Sequence, residues 1–381
     1  MTPPCRSARY RDPVPLLTRR ALALSAVGVT ALAACTPRRN EKDDEEDSVT
    51  TSEGTCHPAA NAPQGENPYG GFRISPDQLV SPEGLAVAPD SSFVAAGLEH
   101  TAPDSLSVED WGTAIWDTAS GDLLTVTGNH RRGPLACHPS GDMLAAAGRS
   151  QIDILGRDGA LQWTLTGHSL GSDEDRRIVN LAFSPDGALL ASLSTERTLR
   201  LWRFREGACE AGEVIDLGDL MPASLSFSPD GTELAVAGAT GPVQIWSVGD
   251  VELLRTVEAP EGSPLGVAHL SDGSLVISSY EPAALAVVDP SGAVRPGPSP
   301  AAERPYGLSV SPGDVVAVSG DSGSTVTVWD VHGGQHRNLP PARGSAHCVQ
   351  WAPDGSALYA VSWTFGVLRW DGTQWSLLQM P

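Results

Sequence analysis

Apolar residues recur along the chain in a grid that repeats seven times. Each repeat is anchored on a tetrapeptide resembling Ser-Pro-Asp-Gly, whose second residues are Pro89, Pro139, Pro185, Pro229, Ser271, Pro312 and Pro353. Four residues before these anchors stand Leu85, Leu135, Leu181, Leu225, Val267, Leu308 and Val349. Two residues before them stand Val87, Cys137, Phe183, Phe227, His269, Val310 and Trp351. This period of two predicts a β-strand in every repeat, with one face filled by bulky groups.

The rest of each repeat predicts three further strands. The anchor predicts a tight turn, because proline fixes φ and the Asp-Gly pair supplies the reversal. A large apolar residue then returns at nearly constant spacing, at Trp116, Leu155, Trp202, Trp246, Val288, Trp329 and Trp370. Only the first repeat is much longer here, and its extra residues between Glu99 and Trp111 are predicted to form a long hairpin loop. A fourth strand follows, as at residues 123–126.

Seven such repeats predict an all-β fold, a seven-bladed β-propeller of four-stranded antiparallel blades. A single blade would expose both apolar faces, so the blades must stack into a ring. The predicted blades cover approximately residues 80–128, 131–167, 178–219, 221–258, 263–297, 303–340 and 345–381. Residues 373–379 can supply the outer strand of the last blade, and residues 71–75 compete for that edge, so the pattern leaves ring closure open.

Several dipeptides resemble the signatures of WD40 repeats. They are Trp116-Asp117, Trp329-Asp330, Trp370-Asp371 and Gly167-His168. The resemblance implies a buried network of His168, Ser194, Glu196 and Trp202 in the third repeat, with glutamate in place of the family's aspartate. The fifth and sixth repeats are closer to bacterial YVTN-type propeller repeats. Residues 72–381 therefore resemble a degenerate WD40 propeller, which implies a protein–protein interaction scaffold.

The N-terminal 34 residues resemble an export signal. Arg19 and Arg20 precede an apolar stretch at residues 21–34, which has the length of a signal-peptide core and is too short to span a bilayer. The stretch closes with Leu-Ala-Ala-Cys, which resembles the lipobox of bacterial lipoproteins and implies that Cys35 becomes the lipidated first residue. A plain secretory signal is the alternative reading. The arginine pair fits both Sec and twin-arginine export.

Residues 35–71 are predicted to be a lipidated cysteine followed by a disordered acidic tether. This segment is polar and includes the acidic run at residues 41–47, with too little apolar surface to offset the entropy of ordering it. The expected location is therefore the extracytoplasmic side of the cell membrane, with the lipid on Cys35 as the membrane contact.

Charge narrows the range of partners. The chain carries 25 Lys and Arg against 46 Asp and Glu, a net charge of −21, which argues against a nucleic-acid partner. An exported chain can form disulfides. Cys56 in the tether and Cys209 in a loop are the hypothetical pair, whereas Cys137 occupies a core position of the grid and is expected to be a buried thiol.

Candidate catalytic and metal motifs are weak. The sequence has neither a Cys-x-x-Cys pair nor a His-Glu-x-x-His motif. Residues 320–323 copy the nucleophile motif of trypsin-like proteases, but His347 follows Ser322, the reverse of the order in that family. We therefore expect no enzyme activity, no cofactor and no metal site. A lactonase-like or dehydrogenase-like propeller enzyme with a site in the axial channel is the alternative.

A partner-binding face is predicted from the WD40-like geometry. Loops entering the innermost strands and loops joining the second and third strands share one face of such a ring. That face is expected to collect Trp111, Tyr280, Tyr306, Trp363, Phe365, Arg131, Arg132, Arg176 and Arg177. Aromatic residues and arginines are the types that dominate interface energetics. Packing of these rings over the blade tops is the alternative to binding. The partner is expected to be a protein.

Overall fold

The structure is a computed structural model. It describes residues 53–59, 80–101, 108–127, 133–169, 177–205, 207–259, 262–305, 307–320, 325–342, 346–362 and 366–378, with only the backbone at 80–83, 98–101 and 108–111. These residues belong to the compact unit Thr50–Pro381. The predicted signal, Cys35 and the acidic run at 41–47 lie outside the described residues, and so do residues 71–75.

The described residues contain β-strands and no helix, and seven antiparallel blades of four strands, one of them with a fifth strand added, form a ring. The prediction of a seven-bladed β-propeller is therefore confirmed. Strand β1 (Thr55–Pro58) precedes the blades. Blade 1 contains β2 (Val80–Val87), β3 (Phe93–Thr101), β4 (Val108–Asp117) and β5 (Leu123–Thr127). Blade 2 contains β6 (Leu135–Cys137), β7 (Met143–Ala147), β8 (Gln151–Gly156) and β9 (Leu161–Thr166).

The other five blades repeat this order. Blade 3 contains β10 (Ile178–Phe183), β11 (Leu189–Ser194), β12 (Thr198–Arg205) and β13 (Ala208–Asp216), and blade 4 contains β14 (Pro222–Phe227), β15 (Glu233–Gly238), β16 (Val243–Ser247) and β17 (Leu253–Val257). Blade 5 contains β18 (Ser263–His269), β19 (Leu275–Tyr280), β20 (Ala284–Val288) and β21 (Val294–Pro296). Blade 6 contains β22 (Gly307–Val310), β23 (Val315–Ser319), β24 (Thr327–Asp330) and β25 (His336–Asn338). Blade 7 contains β26 (Ala346–Trp351), β27 (Leu358–Ser362), β28 (Gly366–Trp370) and β29 (Trp375–Leu377).

The anchor tetrapeptides form the turns between the first and second strands. In blade 3 the Ser184 hydroxyl donates to Asp186 Oδ1 at 2.6 Å, and the backbone N–H of Leu189 donates to Ser184 Oγ at 3.0 Å. Gly187 has a φ of 74°, a left-handed conformation that glycine adopts without steric cost. The turn therefore closes itself through local hydrogen bonds.

The ring closes by packing between blade 1 and blade 7. Strand β2 contacts β26, and one buried cluster unites Val94 and Trp116 of blade 1 with Tyr359 and Val361 of blade 7. The outer strand of blade 7 is β29, which immediately follows β28 in the chain, so no strand of the described residues is shared between the two blades. The seam is therefore held by apolar burial and by side-chain contacts such as the hydrogen bond between Thr118 of blade 1 and Tyr359 of blade 7.

Two sequence predictions need correction. The tether prediction is wrong at Thr55–Pro58, which form β1 and pair antiparallel with β9 as a fifth strand of blade 2. An exposed sheet edge supplies the backbone partners that the polar tether lacks within itself. The extra residues of the first repeat are also more regular than a loop, because Thr101 pairs with Val108 and the strands extend toward the hairpin end.

Candidate functional site

One side of the ring carries the loops that enter the innermost strands and the turns between the second and third strands. We call this side the upper face. Its described loops include residues 133–134, 148–150, 167–169, 195–197, 217–221, 239–242, 281–283 and 297–305. Because every blade has the same strand order, these loops converge on one surface.

Few of the predicted face residues fall within the described parts of the chain. Tyr280 ends β19 and Arg177 immediately precedes β10, while Trp111 is described only by its backbone, where it pairs with Glu99. The other predicted residues lie outside the described residues: Tyr306, Trp363, Phe365, Arg131, Arg132 and Arg176. Their place on a binding face stays a prediction.

Tyr280 takes part in a contact that the sequence analysis missed. The guanidinium carbon of Arg304 lies 5.8 Å from the centre of the Tyr280 ring, within range of a cation–π interaction. The loop carrying Arg304 is held beside blade 5, because the Ser278 hydroxyl donates to the carbonyl oxygen of Pro305 at 2.5 Å. An aromatic–arginine pair therefore stands on ordered backbone at the upper face.

Arg177 also stands on fixed backbone. Its N–H donates to Thr195 Oγ1 at 2.9 Å, and its carbonyl oxygen accepts from the N–H of Thr195 at 2.9 Å and from the hydroxyl of Ser194 at 3.1 Å. The adjacent turn presents Arg197, whose guanidinium lies 3.3 Å from the carboxylate of Asp219. Blade 3 thus holds two arginine-bearing segments together at the upper face.

A buried polar network lies directly beneath these segments in blade 3. His168 Nδ1 lies 2.6 Å from Glu196 Oε1, and His168 Nε2 lies 2.7 Å from Ser192 Oγ. Trp202 Nε1 donates to the same serine oxygen at 2.9 Å, and Thr198 donates to Glu196 Oε1 at 2.8 Å. The network ties the loop before β10 to the turn between β11 and β12.

The serine predicted for this network is wrong. Ser192 joins His168 and Trp202, whereas Ser194 donates to the backbone carbonyl of Arg177. The cause is cross-strand register: Trp202 pairs with Leu190, so its indole nitrogen reaches the residue two positions along the same face of β11. His168, Glu196 and Trp202 lie where the resemblance implies.

Burial and hydrogen bonding set the charges of the network. Burial lowers the pKa of His168 below its ordinary value, and Glu196 opposes this only in part. Burial acts to raise the pKa of Glu196, yet hydrogen bonds from His168 and Thr198 outweigh it and lower that pKa. A neutral imidazole therefore donates from Nδ1 to a carboxylate and accepts the Ser192 hydroxyl at Nε2.

The hypothetical cysteine pair is joined in the structure. Cys56 of β1 and Cys209 of β13 form a disulfide, with 5.8 Å between their Cα atoms. Cys137 is half-buried, and burial raises the pKa of its thiol to about 12.

Metal ligands, membrane-spanning helices and surface grooves are further features that bear on function. Within the described ranges, no group of three or more His, Cys, Asp or Glu side chains could hold a metal ion. No helix in that part of the chain is long and apolar enough to cross a membrane. A groove of about 250 Å³ lies on the opposite face between blades 5 and 6, lined in part by Asp272, Asp289, Arg295 and His332.

Comparisons with known proteins agree with the fold. Residues 159–203 match the family model described as WD domain, G-beta repeat. The β-propeller domain of Cps50 (Swd1) from Myceliophteria thermophila superposes with a TM-score of 0.62 at 14% identity, covering 77% of this chain and 96% of that domain. At this identity the superposition concerns the fold alone.

Curated relatives match only parts of their own length. A periodic tryptophan protein 2 homolog of Schizosaccharomyces pombe is 33% identical over 119 residues, which cover 30% of this chain and 13% of that protein. An uncharacterized WD repeat-containing protein of Synechocystis is 34% identical over 109 residues, 28% of this chain and 29% of the relative. Nuclear distribution protein PAC1 of Arthroderma otae is 24% identical over 288 residues, which cover 70% of this chain and 55% of that protein. With the fold, these matches support a WD40 propeller.

Proposed function

We propose that the chain is a membrane-anchored extracytoplasmic lipoprotein whose WD40-like propeller is a non-catalytic scaffold for a protein partner. The observation that carries the scaffold role is the ordered display of Arg177, Tyr280 and Arg304 on the upper face. Propellers of this type commonly receive partners there, and the WD40 matches of this chain support the same role.

The upper face suits a protein partner because its candidate contacts stand on pre-organised backbone. Arg177 is held through both its N–H and its carbonyl oxygen, and Tyr280 packs beside Arg304. Arginine and tyrosine bury large areas and make directional contacts, so they are enriched among residues that dominate binding energy. Because the backbone is already ordered, association would cost little backbone conformational entropy.

Membrane anchoring is supported by the N-terminal sequence. The basic pair Arg19-Arg20, the apolar residues 21–34 and Cys35 follow one another in the order that a lipoprotein signal requires. A single diacylglyceryl cysteine would hold the propeller at the outer surface of the membrane, while its negative charge would keep it from lying flat on anionic lipid.

Capture of membrane proteins tests the scaffold. The full chain is expressed in a bacterial host as wild type, as Arg177→Ala/Tyr280→Ala, and as Arg337→Ala, a matched arginine control on the exposed strand β25. We expect a set of proteins to be retained by wild type and by the control but lost, at least tenfold, by the double variant. Equal recovery by all three variants would refute the proposed binding face.

Lipid labelling tests the anchor separately. Wild type and Cys35→Ser are grown with a radiolabelled fatty acid and fractionated. We expect label and membrane association in wild type and neither in the variant. A wild-type chain that takes up no label would refute the lipoprotein proposal, whether the chain is found with the membranes or in the soluble fraction. The scaffold proposal would still be decided by its own test.

A further inference from the structure

Strand β1 is attached to the propeller in an unusual way. It has four residues, of which Thr55, His57 and Pro58 are exposed, so the strand buries little surface. Its ladder with β9 is short, and Ala59 adds one backbone hydrogen bond to the carbonyl oxygen of Gln162 at 2.9 Å. A strand of this length and exposure contributes little stability of its own.

The covalent link holds β1 in place. Cys209 belongs to the outer strand of blade 3, where it pairs with Phe204, while β1 pairs with the outer strand of blade 2. The bond between Cys56 and Cys209 therefore clasps β1 across the gap between two blades.

Gly54, two residues before Cys56, lies over Trp202, one member of the polar network of blade 3. A Cβ added at Gly54 would lie 3.1 Å from Ala211 Cβ and 3.3 Å from Cζ3 of Trp202. The backbone thus passes directly over the indole ring, which is only 1% exposed. Trp202 in turn donates to Ser192, the centre of the network beneath Arg177 and Arg197.

We propose that Gly54 and β1 together form a thiol-controlled latch, closed by the Cys56–Cys209 disulfide, in which β1 covers the outer edge of blade 2 and Gly54 covers the indole of Trp202. This inference goes beyond the proposed function and does not depend on the lipid anchor. When the latch opens, β9 becomes a sheet edge with unpaired backbone groups, and the covered side of Trp202 becomes accessible to water.

Opening is a balanced two-electron reduction. A dithiol reductant attacks one sulfur, the Cys56–Cys209 bond breaks, and a mixed disulfide forms. The second thiol of the reductant then releases the protein as two thiols and leaves as a cyclic or protein disulfide, having supplied two electrons and two protons. Both cysteines are only half-buried, so a reductant can reach the bond.

Hydrogen exchange of the full-length protein tests the latch. Oxidised wild type, wild type reduced with dithiothreitol, and Cys56→Ser/Cys209→Ser are compared in peptides covering β9 and, as a reference, β19. We expect at least tenfold faster exchange in β9 after reduction and in the double variant, with β19 unchanged. Unchanged protection of β9 in the reduced protein overturns the proposal, because the ladder would then hold without the bond.

Two controls complete the design. Cys137→Ser/Cys348→Ser, which leaves the latch intact, must respond to reductant as wild type does, and reductant must have no effect on Cys56→Ser/Cys209→Ser. If that double variant fails to fold, acrylamide quenching of tryptophan fluorescence in reduced wild type replaces it; we expect quenching to rise on reduction and to return on reoxidation. Simultaneous loss of protection in β9 and β19 also overturns the proposal, since the bond would then support the whole ring.

Discussion

Ser271 and Asp314 bind each other across the joint between blades 5 and 6. The backbone N–H of Ser271 donates to Asp314 Oδ1 at 2.9 Å, and its hydroxyl donates to Oδ2 at 2.5 Å. Both residues depart from the anchor motif, since Ser271 replaces proline and Asp314 occupies the turn position of glycine, with a φ of 57°. In blades 2, 4 and 7 that glycine faces the proline of the preceding blade: a Cβ at Gly231, for example, would lie 3.4 Å from Cδ of Pro185.

The two departures therefore compensate each other, which predicts strong coupling between them. Ser271→Pro removes two hydrogen bonds from a carboxylate that is 3% exposed and leaves it only His332 Nε2 at 2.7 Å, so we expect a loss of about 2 kcal/mol in the free energy of unfolding. Asp314→Gly leaves the serine donors without their acceptor and should lower the free energy of unfolding by about 1 kcal/mol. The double variant restores the Pro–Gly contact and should recover at least about 1 kcal/mol relative to the sum of the singles. Urea unfolding of the four proteins measures this cycle, and additive losses would contradict it.

Buried histidine makes the ring sensitive to acid. Burial lowers the pKa of His269 to about 4, and Nε2 of this ring is a buried nitrogen that finds no hydrogen-bond partner among the described residues. The unfolded chain takes up a proton below about pH 6.5, whereas the folded chain does so only near pH 4. The stability due to neutral His269 is thus present above pH 6.5 and is lost as the pH falls toward 4.

His269→Phe should weaken this dependence. Phe183 and Phe227 occupy the same position of the grid in blades 3 and 4, so the site accepts a large ring. Between pH 7 and pH 4.5 we expect the variant to lose about 2 kcal/mol less than wild type in the free energy of unfolding. Burial also lowers the pKa of His347 to about 4, and this histidine contributes equally to the pH dependence of both proteins. Urea unfolding at the two pH values measures these losses. Equal losses in wild type and the variant would show that His269 does not contribute to the pH dependence.

The blade 3 network offers a comparison of two serines on one strand. Ser192→Ala removes the shared partner of His168 and Trp202, and we expect a loss of about 2 to 3 kcal/mol because both nitrogens stay buried. Ser194→Ala removes a hydrogen bond to the carbonyl oxygen of Arg177 and a longer one, at 3.3 Å, from the N–H of Glu196, and should cost about 1 kcal/mol. Thermal unfolding ranks the two variants, and a larger loss for Ser194→Ala would mean that the network is centred elsewhere.

The seam between blades 1 and 7 depends on the end of the last strand. Leu378 is 5% exposed within the cluster that unites the two blades, whereas its neighbour Leu377 is 41% exposed. Leu378→Ala should therefore cost about 2 to 3 kcal/mol, and the matched Leu377→Ala about 0.5 kcal/mol or less. Chemical denaturation measures both. Equal costs would show that the chain end does not hold the seam.

Local patterns made the blades predictable. The apolar positions before each anchor and the turn chemistry at Ser184 and Gly187 act within a few residues, so sequence spacing carries them. The choice between Ser192 and Ser194 depended on how β11 pairs with β12, which spacing does not reveal. Strand β1 has no apolar alternation and exists through two non-local partners, the edge of β9 and Cys209. Arg304 gave no sequence signal, because its position beside Tyr280 comes from loop packing.

The disulfide also decides how the molecule bears mechanical load. A pull on the chain before Cys56 passes through the sulfur–sulfur bond directly into Cys209 of blade 3, and the intervening residues are bypassed. The force therefore does not enter the ring beside the seam between blades 1 and 7, which has no covalent or shared-strand closure in the described residues. In the oxidised protein, force on the N-terminus thus enters the ring at blade 3, whereas in the reduced protein it would act first on the β1–β9 ladder and then, along the chain, on β2.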